Sequence, residues 1–218
     1  MFCLTPIPAH QFDKLIDRSA SMRKVMKNRG QLQPLIVPSP EQRADGLWRE
    51  QVLLAADAVI IVAIDLLIEA GAGRAAIDHA MQNIQLEVIS RLNDLDDGKA
   101  VQLAFAHDGK HYAVLSAPTT FDAIKEVTKY FVDRGVTDPA KLAFFCVPLR
   151  DAYVTARDRA KKHKIKYPER IWPTPDELKA GSNLLEAAIG PRTSPIIDKW
   201  RAHRMRGTAP IITQLRRD

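Results

Sequence analysis

Four cations in the C-terminal half of this chain share a spacing suited to phosphate. Arg157, Lys161 and Lys164 lie 7, 11 and 14 residues after Arg150. On a helix these positions fall within an arc of roughly 60°. The opposite side carries Ala152, Ala156 and Ala160, with Tyr153 nearby. Such a stripe can neutralise a run of backbone phosphates. A second basic set, Arg23, Lys24, Lys27 and Arg29, is packed into Met22–Arg29. A third, Lys199-Trp200-Arg201-Ala202-His203-Arg204-Met205-Arg206, mixes arginine with an aromatic that can anchor on a domain or stack on a base.

Covalent or metal chemistry has weaker carriers. His107, Asp108 and His111 crowd one turn, but a tight hairpin aims such side chains apart and a third metal ligand is not evident. Asp94, Asp96 and Asp97 are oxygen ligands of the kind a hard cation takes, and equally a solvated linker. Gly71-Ala72-Gly73-Arg74 lacks the Gly-Lys-Ser/Thr ending of a phosphate-binding loop, and neither Gly-x-Ser-x-Gly nor His-Glu-x-x-His occurs. No catalytic residue, cofactor or metal is expected, and a nucleic-acid-processing enzyme is the weakest of the alternatives.

The chain has 218 residues, 46% hydrophobic and 27% charged, which suits one large or two small globular domains with an ordinary core. Its net charge of +6 is unevenly spread. Residues 1–50 hold 8 Lys and Arg against 5 Asp and Glu; residues 51–149 hold 8 against 13; residues 150–218 hold 16 against 8. Basic ends around an acidic middle point to an anionic partner, with nucleic acid first in line. The one long apolar run, Val52–Ile68, carries Asp57 and Asp65. A carboxylate at a bilayer centre costs roughly 2.5–3.5 kcal/mol, so this run reads as a core helix and no membrane partner is expected. Met1–Ala20 lacks the basic start of a signal peptide. Cys3 and Cys146 are far apart beside apolar residues, as two reduced thiols of a cytoplasmic protein would be.

The elements that must position the basic sets follow from periodicity. Pro8–Asn28 is helical in pattern, with Ser19-Ala20-Ser21 able to cap a second helix and Gly30 to end it. Gln31–Leu47 is punctuated by Pro34, Pro38 and Pro40 and has a turn signal at Ala44-Asp45-Gly46; a two-stranded wing or a plain loop fits it. Gln51–Ala70 is apolar on nearly all sides, so its own domain or a partner chain must bury it. After the Gly71–Arg74 corner, Ala75–Leu95 forms another helix and Asn93–Gly98 a polar break.

Asp108-Gly109 between Val101–Ala106 and His111–Ser116 marks a hairpin. A two-residue turn at that dipeptide sets Phe105 opposite Tyr112 and Leu103 opposite Val114. Phe121, Ile124, Val127 and Phe131 then recur at helical spacing, Leu142–Val147 reads as a buried strand, and Leu149–Lys164 as a helix. Helices are also expected at Thr174–Ile189 and Ser194–Met205, and Gly207–Asp218 is expected to be mobile. The expected fold is α+β and mainly helical: a winged-helix-like module at 1–96, a small ββαβα domain at 97–165, and a basic, Pro-punctuated extension at 166–218.

The N-terminal order of two short helices, Pro-rich ribbon, long apolar helix, Gly break and helix resembles the winged helix-turn-helix domain of mercury-resistance-regulator (MerR) type proteins. Leu66-Leu67-Ile68-Glu69-Ala70-Gly71 followed by Arg74-Ala75-Ala76-Ile77 carries the likeness, which spans about residues 10–90. The family's tyrosine pair and its Gly-x-Arg-x-Tyr entry are missing; Asp45-Gly46-Leu47-Trp48-Arg49 stands there instead. The resemblance implies that Ser19–Asn28 enters the major groove, where Arg23, Lys24 and Lys27 meet guanine edges. It places Gln42 and Arg43 at a wing tip touching backbone or minor groove. The expected function is a dimeric DNA-binding regulator acting by operator occupancy. The alternative is an assembly or adaptor protein dimerising through the apolar helix 51–70.

Overall fold

The computed structural model describes residues 6–35, 53–138 and 141–172, together with the backbone of 211–214. The fold is mixed α+β and mainly helical, as the periodicities require. Helices α1 (Ala9–Leu15), α2 (Ala20–Asn28), α3 (Ala55–Glu69) and α4 (Arg74–Asp96) precede strands β1 (Gln102–His107) and β2 (His111–Ala117). Helix α5 (Thr120–Val132), strand β3 (Ala143–Pro148) and helix α6 (Leu149–Lys162) follow. A four-residue strand, β4 (Ile211–Gln214), pairs with β2 inside the segment expected to be mobile. The helices expected at Thr174–Ile189 and Ser194–Met205 lie outside the described residues.

Helix α3 is the centre of the larger core. Every residue from Ala55 to Ile64 is buried, so its all-round apolar surface is used within its own chain. Helices α4 and α6 and strand β3 pack on it. The part of helix 51–70 from Ala55 to Ile64, through which dimerisation was the alternative expectation, is thus covered by elements of the same chain. The helix also starts later than the apolar run suggests. Leu54 is extended, and the Asp57 carboxylate accepts its backbone N–H at 2.8 Å, fixing the first turn there. The other Asp57 oxygen accepts the backbone N–H of Leu35 at 3.0 Å.

That second bond defines the segment before it. Residues 31–35, at the start of the expected wing, form a strap over α3 and α4, with Leu32 and Leu35 buried. The Gln85 amide donates to Gln33 O at 2.7 Å, and the Gln31 amide to Asp78 at 3.1 Å. The remainder of the expected wing lies outside the described residues. Between α3 and α4, Gly71 takes a φ of +101°, a conformation favouring glycine. The N–H groups of Gly71 and Ala72 close on Ile68 O and Leu67 O, which makes the corner anticipated at Gly71–Arg74.

The sheet is antiparallel in the order β3-β1-β2-β4. Phe105 pairs with Val114 and Leu103 with Ser116, two residues away from the expected register. The reason lies in the turn. The Asp108 carboxylate accepts the N–H groups of Lys110 and His111, and Asp108 N donates to His111 O. The two central residues are therefore Gly109, at φ +87°, and Lys110. A shift of two keeps every side chain on its anticipated face, because strand side chains alternate with period 2. Val101, Leu103, Phe105, Tyr112 and Val114 join the α3 core. Ala104, Ala106, Ala113 and Leu115 meet α5 on the other side.

Helix α5 corrects a second expectation. Ala123, Val127, Tyr130 and Phe131 are buried, whereas Phe121 and Ile124, expected in the apolar face, are 75% and 46% exposed. The small alanines of the sheet draw the helix down on its Ala123–Val127–Phe131 line and leave Phe121 and Ile124 to the side.

Asp57 gives the fold a pH dependence. Burial pushes its carboxyl from an ordinary 3.8 up to about 7, against the charge-favouring bonds from Leu54 and Leu35. The folded state thus holds this proton more tightly than the unfolded chain, and stability falls as pH rises from about 4 to about 7. In urea unfolding, wild type should lose on the order of 4 kcal/mol relative to Asp57→Asn across that window. A difference that stays flat with pH would refute the assignment.

Candidate nucleic-acid interface

Helix α2 follows α1 through the four-residue turn 16–19, in which Asp17 adopts a left-handed φ of +53°. Ser19 caps it, accepting Met22 N–H at 3.2 Å, and Gly30 at φ +69° ends it. Met26 is its one buried residue. Its second anchor is electrostatic: the Arg23 guanidinium donates to Asp13 of α1 at 2.5 Å, with the two side chains only 16% and 10% exposed. Arg23 is thus a structural tie between α1 and α2.

The rest of α2 faces outward. Lys24, Lys27 and Arg29 are exposed, with Ser21, Met22, Val25 and Asn28 between them. No acidic residue lies on this helix. The positions expected at a wing tip, Gln42 and Arg43, lie outside the described residues.

The stripe on α6 is only partly kept. Arg150 and Lys161 are exposed on the helix. Lys164 lies past its end, with a φ of +52°, so it leaves the helical line. Arg157 is half-buried; it donates to Tyr153 Oη at 2.7 Å and its guanidinium sits over the Tyr153 ring. Arg159, outside the stripe, donates to Leu15 O at 3.0 Å and docks α6 on the end of α1. Counting 100° per residue, Arg157 and Lys161 lie roughly 160° from Arg159. The stripe therefore faces away from α1, toward the end of α4, where Arg150 reaches Gly98. The structure does not bring the α2 and α6 cations together.

What the stripe does meet is a carboxylate clamp. Asp96 accepts Tyr153 Oη–H at 2.5 Å and the backbone N–H groups of Ile171 and Trp172 at 3.1 and 2.7 Å. Asp97 accepts Arg170 at 2.9 Å, and Asp94 pairs with Lys99 and Arg91. Burial, reinforced by the bond to Asp96, pushes the Tyr153 hydroxyl up to about 12, which keeps it a donor near neutrality. In this cluster, which reads as linker or cation site, Asp96 and Asp97 are the fastening that holds residues 170–172 against α4.

A second polar arrangement was missed in the sequence. On α4, Asn83, Glu87 and Arg91 stand four residues apart and face β2. Asn83 donates to Tyr112 Oη at 3.2 Å, whose hydroxyl donates to His79 O. Ser116 donates to Glu87 at 2.7 Å while accepting from Arg91 at 2.7 Å. Burial raises the Glu87 carboxyl. The available signal was a polar i, i+4 series within an otherwise apolar helix.

The His107, Asp108 and His111 trio serves the turn. His111 Nδ1 lies 3.2 Å from Asp108 Oδ2, and His107 stacks on Phe145. Burial alone would raise the Asp108 carboxyl, but the N–H groups of His111 and Lys110 lower it overall. Among the described residues no His, Cys, Asp and Glu cluster is arranged to hold a metal, and no helix is long and apolar enough to cross a membrane. Cys146 is a free thiol near Gln102 and Thr120; burial raises its pKa, while the hydrogen bond it shares with Thr120 opposes the rise.

Compared with known proteins, the chain matches no protein-family model, no curated protein and no solved structure.

The two kinds of cation on α2 should separate by stability. Arg23→Ala leaves Asp13 buried beside α2 without its partner and should cost about 2–4 kcal/mol in chemical denaturation. Lys24→Ala should stay within about 0.5 kcal/mol of wild type. Equal effects would contradict the roles given to them.

Proposed function

We propose that this protein binds duplex DNA through α2 and acts by occupying its site without chemistry, as a regulator does. The observation that supports the reading is the outer face of α2. It presents Lys24, Lys27 and, at the C-cap, Arg29 together with Ser21, Asn28 and Val25, and no residue of the helix itself is acidic. Cations of this kind meet phosphates and guanine edges, amides meet adenine, and small apolar groups meet the thymine methyl. The short turn between α1 and α2 is of the length used in helix-turn-helix units. The resemblance to the mercury-resistance-regulator type domain names the same helix as the groove reader.

Arg23 takes a different part in this reading: it fixes the angle at which α2 leaves α1. The α6 stripe, on another face and partly spent on Tyr153, is a secondary backbone contact at most. The net charge of +6 supplies long-range attraction to an anionic duplex.

A salt titration of binding to random-sequence duplex DNA tests the proposal. Affinity should fall steeply with salt, and the combined Lys24→Ala, Lys27→Ala and Arg29→Ala variant should reduce the log–log slope by about 2–3. Lys161→Ala with Lys164→Ala should leave most of the slope intact. Weak binding with little salt dependence, or a slope insensitive to the α2 variant, would overturn it.

A further inference from the structure

Two of the bonds that hold the strap 31–35 over α3 and α4 come from groups with capacity to spare. Gln85 of α4 is 2% exposed and donates its amide N–H to Gln33 O at 2.7 Å. Its Oε1 is buried and has no donor among the described residues. Turning the amide over would set that oxygen against the Gln33 carbonyl, so the orphan is fixed. The strap supplies no donor at its next residue, because Pro34 has no N–H. Asp57 of α3 is also 2% exposed, and its two oxygens accept the backbone N–H groups of Leu35 and Leu54. A neutral carboxyl carries an O–H as well, which neither of those bonds uses.

The spare donor and the spare acceptor line one cavity. It measures about 10 Å³, and its walls include Gln31, Gln33, Ile60 and Met81 besides Asp57 and Gln85. That is room for about one water, which stays where it has polar partners on more than one side. Among the described residues, Asp57 is the one titratable group in this lining. The groups on the elements around it have other partners. Asp78, on the same line of α4 as Gln85, is tied to Gln31 and Arg74. Helix α6 turns alanines and Tyr153 inward, and the Tyr153 hydroxyl is held by Asp96. Tyr167 donates to Ala55 O, and burial pushes its hydroxyl well up, so it stays neutral. On β3, Cys146 packs on the opposite face of the sheet. No cation is therefore at hand to hold an ionised Asp57 in place.

We propose that Asp57 and Gln85 form a proton-operated latch on the strap: neutral Asp57 donates through one water to Gln85 Oε1 and holds the strap closed, and release of that proton to solvent lets the strap lift. Burial favours the neutral acid, which supports the closed form. Once ionised, the carboxylate is buried without a counter-charge, and hydrating it is the way to relieve that cost. The strap is the part of its surroundings that moves most cheaply. It is five residues long with two buried side chains, Leu32 and Leu35, whereas α3 and α4 are fixed in the core. Its motion reaches α2, because Gln31 N and Leu32 N both donate to Met26 O, and Met26 is the one buried residue of that helix. Lifting the strap loosens that end of α2.

The latch is measured without nucleic acid, so it stands or falls apart from the DNA reading. The closed strap holds the Asp57 proton more tightly than the open one does. Opening is therefore rarest below about pH 4, grows on the order of 1000-fold up to about pH 7, and is constant above. Residue-resolved amide hydrogen exchange on the full-length protein, corrected for the intrinsic rate at each pH, should show Leu35 losing protection over that window. At every pH Leu35 should be less protected than Ile61 in α3, because the strap lifts without global unfolding. In Asp57→Asn, Leu35 protection should no longer change with pH. Gln85→Met removes a bond made only by the protonated state, so it should move the upper end of the window down by about half to one pH unit. Loss of the Gln33 tie alone would leave that end where it is. Leu35 as protected as Ile61 throughout, protection flat with pH in wild type, or a window unmoved by Gln85→Met would each overturn the latch.

Discussion

A helix that is apolar on every side has to be covered on every side, and α3 sets that demand for the rest of the fold. No single neighbour can meet it. Helix α4 covers one flank, α6 another, and β3 closes in beneath. The strap 31–35 lies over the junction of α3 and α4, pinned by Asp57 at its end. Burying ten consecutive residues of this helix sets a large hydrophobic driving force against the cost of ordering elements far apart in sequence. Several polar ties serve that arrangement: Arg18 on Asp65 and Tyr167 on Ala55 O tie directly to α3, and Arg159 on Leu15 O docks α6 beside it.

The same demand explains what could be read in advance. Periodicity and turn residues reveal local elements, so Ser19, Gly30 and Gly71 mark the ends they were expected to mark. The faces of the hairpin strands were legible because they depend only on alternation. Its register was not, because Asp108 closes the turn with its side chain and moves the central pair on by one residue at each strand. The exposed side of α5 was not legible either; a run of Phe, Ile, Val and Phe cannot say which members the alanines of β1 and β2 will admit.

The candidate interface shows a deeper limit. Sequence counts charges, while structure decides which are free to act. Arg23 and Arg157 look no different from Lys24 and Lys161 in composition, yet Asp13 and Tyr153 claim them. Asp96 and Asp97 look like solvated linker and instead carry the clamp on residues 170–172. Partners 57 to 76 residues away cannot be inferred from spacing, and neither can the exposure of Lys24 on a helix with one buried residue.

The position of α3 in the chain has a consequence for synthesis. Its cover is completed by α6, which ends roughly 90 residues after α3 does. At about 5–20 residues per second, a ribosome needs roughly 5–20 s to make that intervening stretch. Throughout that interval the most apolar segment of the chain is outside or near the exit tunnel with part of its cover unmade. The nascent chain must rely on α1, α4 and any chaperone at the ribosome to shield it. The protein therefore meets its greatest aggregation hazard during translation, before the completed fold exists to protect it.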